Sequence, residues 1–126
     1  PKVYIADNSE IFIDEIVKEI NLCQEKGFQS ICLICKTEKN SIYLFNKIKH
    51  KLDIQLIKNG SVSDLQGVFI LPVYMSKGLE FDAVLICDAD SQNYHDEDDK
   101  NLLYVACTRA LHKLSLFCEN EVSPLI

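Results

Sequence analysis

Residues Ser30-Ile31-Cys32-Leu33-Ile34-Cys35 form a nearly unbroken apolar run, with Gly27 upstream and Lys36-Thr37 downstream. A strand with one wet face alternates apolar and polar residues, whereas an uninterrupted run needs cover on both faces, as in a parallel sheet. Parallel strands cannot be joined by tight turns; their crossovers take a dozen or more residues and are usually helices. This one segment therefore demands helices on either side of it in sequence, and helices on both faces of the sheet it enters.

The rest of the chain supplies those pieces. Val3 to Ala6 reads as a short first strand. Asn8 or Ser9 then caps a helix that presents Ile13, Ile16, Val17, Ile20 and Cys23 on one face and is stopped by Gly27. After Ile31–Cys35, Thr37 can cap a second helix with Leu44, Phe45, Ile48 and Leu52 as its inward stripe. Ile54–Ile57 is a third strand, ended by Asn59-Gly60. Two further apolar runs follow, Val68–Val73 and Ala83–Cys87, then an acidic polar loop from Asp88 to Lys100. An amphipathic helix carrying Arg109 comes next, and Leu114, Leu116 and Cys118 alternate as a last strand. Strands alternating with helices specify an α/β fold, a mainly parallel sheet layered between helices. With no repeat and no long linker, residues 1–126 read as a single domain.

Composition narrows the function. The chain is 48% hydrophobic and 25% charged, as in ordinary globular proteins, with no apolar run near the ~20 residues a membrane span needs. A net charge of −6 argues against a wholesale nucleic-acid coat but leaves room for a narrow groove lined by a few lysines. Cys32 and Cys35 imitate a metal or redox pair, yet residues i and i+3 of a strand point to opposite faces and cannot share a ligand. Nothing completes a tetrahedral site, so the six cysteines read as buried and reduced in a cytoplasmic protein, and no metal site is expected. The sequence opens on Pro1 rather than methionine, the pattern of a piece of something longer.

Of thirteen Lys and Arg residues only Arg109 is arginine. Guanidinium is a planar, permanently charged five-donor fork suited to phosphate, which ammonium does not imitate. In α/β sheets ligands gather at the carboxyl ends of strands. Lys77-Gly78-Leu79-Glu80 lies in one connection between strands and Arg109 on the last helix, so one phosphate-bearing ligand held by both is the expectation.

These residues carry a resemblance. Tyr74-Met75-Ser76-Lys77-Gly78-Leu79-Glu80-Phe81-Asp82-Ala83-Val84 resembles motif V of superfamily 1 helicases of the UvrD/Rep/PcrA type. Leu102-Leu103-Tyr104-Val105-Ala106-Cys107-Thr108-Arg109-Ala110 resembles their motif VI. The two occur in the right order, and the likeness is strongest over residues 67–118. It implies the second RecA-like domain of such a motor, called 2A. The wording of both motifs looks closest to the HelD-like branch, whose members associate with RNA polymerase.

The resemblance implies roles for individual residues. Arg109 would be the arginine finger reaching the γ-phosphate across an interdomain cleft, a device that contributes ~10³–10⁵ in rate. Glu80 would accept from the ribose hydroxyls, Gly78 would let backbone approach the nucleotide, and Lys77 would link the nucleotide side of the cleft to the partner domain by charge. Tyr74 stands where many relatives carry histidine and could stack on a base of single-stranded DNA. Ser76, Lys36 and Thr37 complete the implied nucleic-acid set. The partners implied are an upstream RecA-like 1A domain, single-stranded DNA and, for the HelD-like reading, RNA polymerase.

Two features temper the picture. No Gly-x-x-x-x-Gly-Lys-Ser/Thr phosphate loop is present, so ATP and Mg²⁺ would be held mainly by the 1A domain, and these 126 residues alone are expected to be inactive. Only about eight residues separate Lys58 from Gly67, where UvrD and Rep insert their 2B domain, so no 2B domain is expected here. The run Asp96-Glu97-Asp98-Asp99 reads as capping for the helix that follows, and Asp88 as a strand-end residue. A receiver- or flavodoxin-like signalling domain, with Asp7, Asp88 and Lys77 near strand ends, is the rival from another class; it explains neither motif.

Overall fold

The computed structural model describes residues 1–58 and 66–126. Its elements are β1 (Lys2–Ala6), α1 (Ser9–Glu25), β2 (Ser30–Cys35), α2 (Glu38–Ile48), β3 (Gln55–Leu56), β4 (Gly67–Pro72), β5 (Phe81–Ile86), α3 (Glu97–Cys107) and β6 (Ala110–Glu119), with a single 3₁₀ turn at Val73–Met75. The six strands form one sheet in the order β1-β6-β5-β2-β4-β3, and every pairing is parallel. The expected α/β layered fold is what the chain adopts. The Asn59-Gly60 turn lies outside the described residues.

β2 sits between β4 and β5 with all six residues buried, which is why its sequence shows no alternation. Its side chains still alternate in space. Ile31, Leu33 and Cys35 join the core under α1 and α2, with Ile16, Ile20, Leu44 and Ile48. Cys32 and Ile34 join the opposite core under α3, with Leu103 and Ala106. Cys32 and Cys35 therefore face opposite ways, and the six cysteines are free thiols, five of them buried.

The helix starts follow local chemistry. Asn8 Oδ1 accepts from the N–H groups of Glu10 and Ile11, and Thr37 Oγ1 from that of Asn40. α1 stops where Gly27 takes φ +85°, the left-handed conformation glycine tolerates. α3 begins three residues before the expected loop ends. Asp96 and Asp99 form a reciprocal capping box, so the acidic run is the helix's own first turn. α3 also ends earlier than its pattern suggests: Thr108 is the C-cap, and Arg109 lies in the turn before β6 rather than on the helix.

Glu19, on the apolar face of α1, is the buried exception to the stripe. Its carboxylate meets the Lys113 ammonium at 2.5 Å and accepts from the Tyr4 hydroxyl at 2.6 Å, tying α1 to β6 and β1. The bonded carboxylate pushes the Tyr4 hydroxyl up to about 12. No helix among the described residues is long and apolar enough to cross a membrane.

Candidate functional site

The crossover from β4 to β5 carries the chain from the carboxyl edge of the sheet back to its amino edge in eight residues, Val73 to Glu80. It is too short for an α-helix, so it uses the 3₁₀ turn and a second tight turn. Ser76 N–H donates to the Val73 carbonyl at 2.9 Å, and Leu79 N–H to the Ser76 carbonyl at 3.0 Å. Gly78 closes the second turn at φ +79°. A Cβ there would meet nothing within 4 Å, so within this chain the glycine answers a conformational need, not a close approach.

The turn delivers Glu80 beside Arg109. Phe81 N–H donates to the Arg109 carbonyl at 2.9 Å, stitching the first residue of β5 to the residue just before β6. The guanidinium folds back over the same junction. Nε donates to the Val105 carbonyl at 3.0 Å, Nη2 to Thr108 Oγ1 at 3.0 Å, and Nη1 makes a long 3.4 Å contact to the Leu79 carbonyl. All three acceptors are neutral. The ion pairs among the described residues all lie elsewhere, so the half-buried fork keeps an uncompensated charge. Lys77, Gly78 and Glu80 are exposed around it.

The expected common locus is thus present, but on the other edge of the sheet. Lys77–Glu80 and Arg109 precede β5 and β6, so they gather at the amino ends of the strands, not at the carboxyl ends where ligands of open α/β sheets usually sit.

The residues read for nucleic acid gather at the carboxyl edge. Tyr74 follows β4 by two residues, is 54% exposed, and its hydroxyl donates to Glu38 Oε2 at 3.2 Å. Thr37 is occupied as the α2 cap. Lys36 is half-buried, its ammonium 2.7 Å from Asp99 Oδ1, so much of its charge is already neutralised. Ser76 differs from expectation: it is fully buried and its hydroxyl donates to the Val73 carbonyl at 2.6 Å, a clasp within the crossover with no face towards a ligand. Lys77 lies at the opposite edge from Asp88, which removes the lysine–aspartate pairing that a receiver-like reading requires.

Two carboxylates do more than their sequence positions suggest. Asp82 Oδ2 accepts from the N–H groups of Gln29 and Ser30 at 2.8 and 3.2 Å, fastening the start of β5 to the start of β2 and holding its carboxyl below the usual range. Asp88, 8% exposed, accepts on Oδ2 from Lys36 N–H at 2.7 Å and from the Asn40 amide at 2.8 Å. Burial outweighs those bonds and pushes its carboxyl up to about 6. Pairing of this kind is not readable from one strand-end aspartate; only the adjacency of β2 and β5 reveals it. His95, Asp96 and Asp99 are the one group of metal-ligand type among the described residues, with candidate atoms within 4.8 Å of one another. Lys36 and the N–H groups of His95 and Asp96 already occupy both Asp99 oxygens, which gives that cluster a structural role.

Comparison with known proteins bears on the family and the fold. The model of the UvrD-like helicase C-terminal domain matches residues 67–117, the segment holding both motifs. The C-terminal domain of a possible DNA helicase from Lactobacillus plantarum WCFS1 superposes with a TM-score of 0.90 at 31% identity, covering 99% of this chain and 77% of that one. More distant structures share the fold alone. The C-terminal domain of the DEAD-box protein Dbp5 gives a TM-score of 0.64 at 12% identity over 94% of this chain and 76% of its own. An arterivirus nonstructural protein 10 helicase, solved with DNA, gives 0.56 at 15% identity over 98% of this chain and 30% of its own. None of the curated proteins compared with the chain matches it.

Proposed function

The chain belongs to the UvrD-like helicase C-terminal domain family, and from that premise we propose that it is the C-terminal motor domain of an ATP-dependent superfamily 1 DNA helicase or translocase. One observation carries the finer reading: the chain's single guanidinium is preoriented by neutral acceptors beside the Gly78–Glu80 turn and keeps its charge unspent. Carbonyls and a hydroxyl orient the fork without neutralising it. An arginine held in that way is ready for an anion brought from outside.

In this reading ATP, bound chiefly by a preceding RecA-like domain with its magnesium ion, supplies the free energy for cleft closure. Closure brings Arg109 against the γ-phosphate, where its charge is most useful as negative charge redistributes in the transition state. The long Nη1 contact to Leu79 is the weakest of the three tethers and the one to yield. Glu80, exposed on the same turn, accepts from the ribose hydroxyls, and Lys77 meets the partner domain. Tyr74 and Thr37, at the far edge, lie where single-stranded DNA would cross the sheet. Lys36 joins them only if Asp99 releases it.

The test is ATP hydrolysis by the full-length parent, with and without single-stranded DNA. The proposal expects DNA to raise turnover several-fold. Turnover indifferent to DNA but raised by RNA polymerase would instead favour a polymerase-remodelling module and remove the DNA-motor reading.

A further inference from the structure

α3 ends by leaving one of its own carbonyls over. In a continuing helix the Val105 carbonyl would accept from the N–H of residue 109, four positions on. Thr108 caps the helix instead, and the Arg109 N–H turns to the Ala106 carbonyl at 3.2 Å. The last carbonyls of a helix need partners from elsewhere. For Val105 they come from two nearby side chains: the Thr108 hydroxyl donates to its carbonyl at 2.9 Å and Arg109 Nε at 3.0 Å. The partial negative charge at a helix C-terminus favours the cation in that place.

The same hydroxyl has a second task. It accepts from Arg109 Nη2 at 3.0 Å while its own proton goes to Val105, which a group with one donor and two lone pairs can do. The three bonds close a ring of carbonyl, hydroxyl and guanidinium. Its two acceptors lie 2.9 Å apart, a spacing that fits the parallel N–H groups Nε and Nη2 present along one side of the fork. That side is shut. Nη1 spends one N–H on the long 3.4 Å contact to the Leu79 carbonyl. Of the five guanidinium donors two are left over, without a partner among the described residues, one on each Nη nitrogen at the end of the fork.

We propose that Thr108 is a positioning residue: its hydroxyl fixes the plane of the Arg109 guanidinium so that the end of the fork, with one N–H on each Nη, meets two oxygens of a phosphoryl group. The phosphoryl group comes from the motor reading and rests on it; the ring does not. With Nε alone bonded, the plane of the fork could swing about that bond. Bonding Nε and Nη2 together stops the swing, and it goes on doing so when the Leu79 tether yields. Threonine suits the task because its β-branch narrows χ1 and holds the hydroxyl in place. Serine keeps the hydroxyl on a freer rotor, and valine keeps the shape without it. The Thr108 side chain is exposed, so neither change disturbs a core.

Two measurements test this. Arg109 is the only arginine of the chain, so a ¹⁵N correlation spectrum holds a single arginine Nε–H signal. Its exchange with water should quicken about threefold or more in Thr108→Val and stay near wild type in Thr108→Ser, as expected when one hydrogen bond of the ring is lost or kept. In the full-length parent, Thr108→Val should lower kcat about tenfold with KM for ATP within about twofold, and Thr108→Ser should recover most of that rate. Added to Arg109→Lys, Thr108→Val should cost nothing further, because it acts only through the guanidinium. Wild-type exchange or wild-type kcat in Thr108→Val, a serine variant no better than valine, or a full additional loss in the double variant would overturn the proposal. Should that happen while Arg109→Lys still collapses turnover, the positioning role is removed and the arginine finger stays. Wild-type turnover in Arg109→Lys would remove both.

Discussion

Phe81 N–H donates to the Arg109 carbonyl at 2.9 Å, so the residue after Glu80 and the residue just before β6 share one hydrogen bond at the amino edge of the sheet. The bond makes the two helicase-like motifs a single structural unit. Whatever Arg109 touches from outside, Glu80 is beside it.

The turn that presents Glu80 depends on Gly78. Replacing it with alanine meets open space but forces a Cβ into φ +79°. Gly78→Ala should cost about 1–2 kcal/mol, read from the midpoint of urea unfolding. An unchanged midpoint would mean the turn relaxes freely and does not fix Glu80.

Asp82 should prove structural despite lying inside the motif. Its carboxylate caps two backbone N–H groups at the start of β2, and charge-assisted bonds of this kind contribute about 1.5–3 kcal/mol. Asp82→Ala should destabilise by that order. Because its folded pKa is depressed, the contribution is full above the unfolded value near 4 and is lost as pH falls through the folded one. A variant whose deficit stays constant from pH 7 to pH 3 would contradict the assignment.

Asp88 should behave in the opposite sense. Its folded carboxyl titrates near 6, above the unfolded value, so the ionised group opposes folding at higher pH and the penalty fades as pH falls through 6 towards 4. Asp88→Asn keeps an acceptor for Lys36 N–H and removes the buried charge. It should raise stability at pH 7.5 by at most about 3 kcal/mol, with the gain shrinking towards pH 4. Thermal unfolding across that range reads the sign directly, and destabilisation at pH 7.5 would contradict it.

Asp99 links the start of α3 to Lys36 at the carboxyl edge of the sheet. It closes the α3 capping box and neutralises Lys36 at 2.7 Å. Asp99→Ala should cost about 2 kcal/mol in unfolding free energy, through the lost cap and an unpaired half-buried ammonium. By freeing that ammonium it should also strengthen binding of single-stranded DNA in the parent at low salt. Weaker DNA binding would place Lys36 outside the track.

Much of the fold was legible because burial on both faces leaves a plain mark: β2 and β5 show it, and the stripes of α1 and α2 place the cores correctly. The helix caps at Asn8 and Thr37 were legible for the same reason, being local chemistry. Other features depend on contacts between segments far apart in sequence. Nothing local shows that Glu19 turns inward to Lys113, that Ser76 is folded under its own turn, or that Asp88 sits against the start of α2. The edge of the sheet was misjudged because the expectation followed the general habit of α/β sheets, whereas Lys77–Glu80 and Arg109 both come just before a strand. The two motifs were visible in the sequence, but the edge of the sheet at which they gather was not.

The most direct measurement is ATP turnover of the full-length parent carrying Arg109→Lys, alongside nucleotide affinity. Lysine keeps the charge but loses the fork and its reach, so turnover should fall by about 10³-fold or more while nucleotide affinity stays within a few-fold of wild type. Wild-type turnover in that variant would show that the solitary guanidinium is not the group that meets the phosphate.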